Sequence, residues 1–232
     1  MVPARTYVRK QKSVMEISWL GHSCFQLRGK NVVLVTDPST PQQETSSEGP
    51  STLSKINASI VTVSHNHPGH NYVQGVGGHP RIINGPGEYE INDVLITGVP
   101  SYHDDQHGKI RGHNTIYVIH MDDLVICHLG DLGHILHEEQ LEEVADADIL
   151  LLPISGGNSV NATMAAEIIS QVEPRVVIPM HYHPTEPDVK PVPLVKFCRE
   201  MGVEAIDPQA KYSVTKNTLP ASIQVVLLTP RV

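Results

Sequence analysis

The feature that most constrains this chain is a strand-sized apolar run that stops abruptly against a cluster of imidazoles. Ala58 to Val63 is rich in β-branched residues, and Ser64-His65-Asn66-His67-Pro68-Gly69-His70 follows it without a break. Extended residues two apart point to one side, so His65 and His67 can present both rings at the end of a buried strand. Pro68 suits a first helical turn, which would carry His70 to the opposite wall of the same small space. Imidazole nitrogen is the commonest ligand for ions of intermediate softness, zinc above all. The alternative is a histidine-rich loop that holds no ion.

The rest of the chain repeats the pattern. Histidine is in excess, with 14 residues against 17 lysines and arginines. Val94 to Pro100 leads to His103, Leu124 to Gly130 leads to Asp131, and Val176 to Met180 leads to His181. Sites in layered α/β folds gather at strand ends, where loops aim side chains into a common crevice. Taken singly, Asp131 reads as a turn or helix cap and His103 as a solvated loop residue. Their shared placement after strand-like runs is what points to a site.

Val14 to Leu20, Ser23 to Leu27 and Asn31 to Thr36 read as an opening antiparallel meander. Further strand-like runs lie at Asn114 to His120, Ile149 to Pro153 and Ile223 to Thr229. Helices are expected over His137 to Val144, over Ala162 to Val172 with Asn161 as cap, and from near Pro193 to Met201. This order predicts sheets with helices packed outside, in one domain over residues 15–232. Residues 1–14 read as a frayed arm or an expression remnant, and Pro38 to Thr52 as a long surface loop.

Composition excludes several classes. The formal net charge of −8 gives no field to draw the chain onto nucleic acid or anionic lipid. The three cysteines, Cys24, Cys127 and Cys198, are too scattered for a disulfide framework or a CxxC knuckle. Neither a secretory signal nor a run of roughly 18 apolar residues is present, so a cytosolic protein is expected. No GxSxG, Walker or GxGxxG pattern is found. The expected partner is a small-molecule substrate, with self-association left open.

The chain resembles the metallo-β-lactamase-fold hydrolases, in particular the branch of L-ascorbate-6-phosphate lactonase-like proteins. The resemblance rests on Trp19-Leu20-Gly21-His22-Ser23-Cys24-Phe25, Thr36-Asp37-Pro38, the triple-histidine motif, Tyr102-His103, His128-Leu129-Gly130-Asp131 and Ile178-Pro179-Met180-His181-Tyr182. It implies an αββα sandwich of two mixed sheets with helices on the outer faces. It also implies a first metal on His65, His67 and His103, and a second on His70, Asp131 and His181 with Asp131 able to bridge. The family motif His-x-His-x-Asp-His has Gly69 at its aspartate position, which leaves three readings. The second metal is held by the other three residues, a single metal acts, or the site binds without turnover.

The expected chemistry is hydrolysis of a lactone, ester, amide or phosphodiester. Zinc, as one or two ions, or manganese or iron in its place, would lower the pKa of bound water from about 15.7 to about 7. Asp131, or His22 through water, is the expected proton carrier. His22 reads equally as a turn-stabilising residue, Asp37 as orienting a ligand histidine or capping the next loop, and His128 as a hydrogen-bonded core residue, while His134 is a candidate to line the crevice and His183 to substitute for His181. A nuclease is the less favoured alternative, given the negative charge.

Overall fold

The computed structural model describes residues 14–40, 52–157, 159–182, 192–204 and 206–231. Residues 1–13 of the expected arm, 41–51 of the expected loop and His183 lie outside them. Among the described residues two mixed sheets face each other. The first has the order β12-β1-β2-β3-β4-β5 and the second β13-β11-β10-β9-β8-β7-β6.

In the first sheet, β1 (Met15–Trp19), β2 (Phe25–Arg28) and β3 (Val33–Thr36) form the expected antiparallel meander. Next come β4 (Ala58–Val63) and β5 (Gly78–Asn84), both parallel, and β12 (Tyr212–Val214) closes the far edge against β1. The second sheet starts with an antiparallel set, β6 (Gly87–Ile91), β7 (Val94–Tyr102), β8 (His113–Met121) and β9 (Leu124–His128). It then turns parallel through β10 (Ile149–Pro153), β11 (Val176–Met180) and β13 (Gln224–Val225). The strands β10 and β11 are buried along their whole length, which is why their sequences are unbroken apolar runs rather than alternating ones.

Ile17, Phe25 and Ile60 of the first sheet and Ile116, Leu151 and Ile178 of the second belong to one continuous core. Three helices are described: α1 (Glu138–Val144), α2 (Ala162–Val172) and α3 (Val192–Glu200). Helix α1 packs against β7 and α2, and α2 packs against α3. A smaller apolar cluster, including Leu20, Val35, Leu53 and Val61, is built partly from the 3-10 turn Leu53–Lys55. No described helix is long and apolar enough to cross a membrane.

Candidate metal centre

The chain's chemistry is concentrated just beyond the C-terminal ends of strands. His22 follows β1, Asp37 follows β3, His65 follows β4, His103 follows β7, Asp131 follows β9 and His181 follows β11. Open sheets place their sites there because loops from several strands converge at that end.

The motif segment is a series of bends and one turn rather than an extended strand continuation. The His67 N–H donates to the His65 carbonyl at 3.0 Å, and the N–H groups of His70 and Asn71 donate to the His67 carbonyl at 2.8 and 3.0 Å. The His65 and His67 rings stack with centroids 5.8 Å apart, and His70 turns inward to full burial. Asp37 holds it there, as expected, with Nδ1 of His70 2.8 Å from Asp37 Oδ2. Asp37 also accepts the Ser64 N–H at 2.7 Å and the Ser64 hydroxyl at 2.5 Å, so one buried carboxylate sets both ends of the motif.

Three rings converge on one oxygen. Asp131 Oδ2 lies 3.1 Å from His70 Nε2, 3.4 Å from His103 Nε2 and 3.3 Å from His181 Nε2. Within these distances His70 and His103 lack hydrogen-bond alignment, and Nε2 of His65, His70 and His103 are buried with no hydrogen-bond partner. A buried polar nitrogen left unpaired is costly unless something else occupies its lone pair. Ligand atoms gather into three trios, each spanning no more than 4.8 Å: His65 with His103 and Asp131, His65 with His67 and His70, and His22 with His70 and His181. His65 is thus close to both of its expected partners, although His67 and His103 fall into different trios.

The electrostatics suit a cation. Burial pushes the pKa of His65 down to about 4 and lowers that of His103, leaving neutral rings with lone pairs to give. Burial would likewise favour a neutral His70, but the Asp131 and Asp37 carboxylates on either side outweigh it and hold its pKa at about 10. Burial opposes ionisation of Asp131, yet His181 and His70 beside it keep its carboxyl well below the usual range. The donor set is therefore neutral imidazoles and a carboxylate, with His70 an imidazolium until a divalent ion of intermediate softness displaces its Nε2 proton.

The supporting hydrogen bonds include residues to which the sequence reading gave no role. Asn114 accepts the Asp131 N–H at 3.0 Å and donates to the Leu129 carbonyl at 3.0 Å, pinning the loop after β9. Gly130 stands in that loop at φ 57°, and a Cβ there would run into Asn114 and Ser64. Nδ1 of His181 meets Ser155 Oγ at 2.9 Å. Asn114 carried a signal as a polar residue opening an apolar strand run, and Gly130 as part of the motif that ends in Asp131. His128 is the expected core residue, with Nε2 2.9 Å from the Ser23 carbonyl. His134 departs from expectation. Its Nε2 accepts the Tyr102 N–H at 3.2 Å, its Nδ1 lies 2.7 Å from the Ile135 carbonyl, and its ring stacks on His137. Beside His65 opens a cleft of about 580 Å³, whose walls include Asn66, Asn84, Arg111 and Thr115.

A profile of the β-lactamase superfamily domain matches residues 16–181. Among curated proteins, a UPF0173 metal-dependent hydrolase of Methanopyrus kandleri is 27% identical over 221 residues, spanning 83% of this chain and 94% of its own length. A UPF0173 metal-dependent hydrolase of Pyrococcus horikoshii is 27% identical over 220 residues, with the same 83% and 94% coverage. A Thermotoga maritima structure described as a candidate zinc-dependent hydrolase of the metallo-β-lactamase superfamily is 31% identical. It matches with a TM-score of 0.73 over 92% of this chain and 98% of that one. Igni18, a metallo hydrolase of Ignicoccus hospitalis, shares the fold at 22% identity and a TM-score of 0.63, over 87% and 98% of the two chains.

Proposed function

The chain belongs to the metallo-β-lactamase superfamily, and from that premise we propose that it hydrolyses a small polar substrate at a metal centre on the strand ends. The observation that carries this is the convergence of His70, His103 and His181 on Asp131 Oδ2, with the buried Nε2 atoms of His65 and His103 lacking a hydrogen-bond partner. Zinc held there supplies Lewis acidity and water acidic enough to ionise near neutral pH. Manganese or iron could take the same place.

The chain's own residues do the rest. His65 and His103, neutral through burial, offer lone pairs, while Asp37 fixes the tautomer and orientation of His70 through Nδ1. Asp131, held ionised by its imidazole neighbours, suits a counter-charge to the cation better than the proton carrier expected from the sequence. The cleft beside His65 is large enough for a small molecule, and Asn66, Asn84 and Arg111 on its walls suit carbonyl, hydroxyl or anionic groups. Lactones come first among candidate substrates, on the resemblance to the lactonase-like branch, ahead of esters, amides and phosphodiesters. Gly69, in place of a motif aspartate, favours binding without turnover as the second reading.

Elemental analysis of the purified chain, followed by panels of those four substrate classes, tests the proposal. His67→Ala should lower bound metal, whereas His120→Ala, exposed near the other end of β8, should leave it unchanged. Equal losses in both variants would refute the assigned site. A chain that takes up no zinc and turns over no substrate would remove the reading altogether.

A further inference from the structure

The place of the missing motif aspartate is bordered by His67 and His22. Gly69 is absent from the positive-φ residues, so its backbone does not call for glycine. A Cβ built there would lie 3.2 Å from His67 Nδ1, 3.4 Å from His22 Cε1 and 3.5 Å from His22 Nε2. A side chain at this position therefore starts out in van der Waals contact with the edge of the His22 imidazole that carries Nε2.

His22 is held in that space. Its carbonyl accepts the indole N–H of Trp19 at 2.9 Å and the N–H of His181 at 3.1 Å. Its backbone sits in the left-handed region at φ 52°, a conformation that L residues avoid unless their surroundings impose it. The ring stands edge-on to both neighbouring imidazoles, with centroids 4.8 Å from His70 and 4.1 Å from His181. One nitrogen from each of these three rings falls in a trio no wider than 4.8 Å. Strain kept at a residue packed among candidate ligands is the pattern expected of a preorganised site.

We propose that His22 completes a second metal site with His70 and His181 beside the Asp131 carboxylate, taking the role that an aspartate at position 69 would have played. This rests on reading the centre as a metal site. The exchange replaces a hard anionic ligand with a neutral, softer one, so the second site becomes an imidazole site that favours zinc over manganese. Gly69 is then a compensated departure from the motif rather than a lesion. His22 acts as a ligand, not as the proton carrier expected from the sequence.

The test is metal binding by the full chain, stripped with a chelator and titrated with zinc alone, with manganese alone, and with cobalt for its visible spectrum. His22→Asn is the chosen variant because asparagine tolerates the left-handed backbone. Wild type should bind two zinc ions. His22→Asn should keep one tightly and bind the second at least about ten-fold more weakly, as losing a ligand contact predicts. His22→Asn combined with Gly69→Asp should regain the second ion and shift its preference toward manganese. Should His22→Asn fail to fold, Gly69→Asp alone must change the cobalt spectrum, since the new carboxylate competes for the space of the His22 ring. Unaltered zinc binding in His22→Asn, a wild type that binds one ion only, or an unaltered cobalt spectrum in Gly69→Asp would each overturn the proposal while leaving a metal centre standing. A wild type that binds no metal would overturn the functional reading as well.

Discussion

Three residues of the centre, His22, Asp37 and His181, have left-handed backbone, at φ 52°, 38° and 58°. Such conformations cost about 1–3 kcal/mol each for residues other than glycine, and they persist only where the surroundings over-determine them. Here the Asp37 N–H donates to the Thr62 carbonyl at 2.8 Å and the His181 N–H to His22 at 3.1 Å, so sheet and site hold one another. The loop after His103 is held by a single carboxylate. Asp104 accepts the N–H groups of Gln106, Gly108, Ile110 and Arg111 at 2.7 to 3.0 Å. Burial works against its ionisation, but those donors prevail and bring its pKa down to about 2. A folded pKa below the unfolded one means support that is complete above about pH 4 and lost as pH falls toward about 2. Asp104→Asn, whose amide can accept at one oxygen only, should therefore melt below wild type at neutral pH. The gap should close through that acid window, and a gap independent of pH would show that the carboxylate charge is not what holds the loop.

At the scale of elements, α2 shows what local sequence can specify. The stripe of Ala165, Ile168, Ile169 and Val172 is buried, and Asn161 caps the helix by accepting the Met164 N–H at 3.1 Å. Asn161→Ala should lower stability by about 1 kcal/mol in urea unfolding, whereas Asn161→Asp should largely preserve it. No loss in the alanine variant would mean that packing alone sets the start of the helix. Helix α1 begins at Glu138, one residue after the expected start, with His137 as its cap and Gln140 accepting the His137 N–H and donating to the Pro100 carbonyl at 2.8 Å. The strands β5, β6 and β12 were not legible. The first two are mostly exposed, β5 contains Pro80 and Arg81, and β12 is a three-residue edge, so none shows the apolar pattern of a buried strand. The run Ile223 to Thr229 forms strand only over Gln224–Val225, although Leu228 makes an isolated bridge with Gln209.

For the molecule as a whole, the centre joins the two sheets. His22, Asp37 and His65 follow strands of the first, whereas His103, Asp131 and His181 follow strands of the second. An ion bound to both sides should thus stabilise the entire fold and not a single loop. Free zinc at about 100 times its Kd should raise the unfolding free energy by about 2.7 kcal/mol, and chelation should remove that gain. Denaturant midpoints with and without zinc measure this. Identical midpoints in a chain that demonstrably binds zinc would show that the unfolded chain binds the ion as well as the folded one does, contrary to a centre assembled from both sheets.

The sequence by itself determined which residues could act and where the main elements run. A buried strand, a capped helix and an abrupt stop at a histidine are written in neighbouring residues. Asp37 beneath His70 and His128 in the core were within reach for the same reason, since each flanks an apolar run. Tertiary structure alone decided which groups meet. Asn114 reaches Asp131 across the β8–β9 hairpin, Ser155 steadies His181 from the loop after the next parallel strand, and the His22 ring lies in contact with the point where a side chain at position 69 would begin. These pairings join segments far apart in the chain, and strand order and register, set by burying both sheets against one core, bring them together.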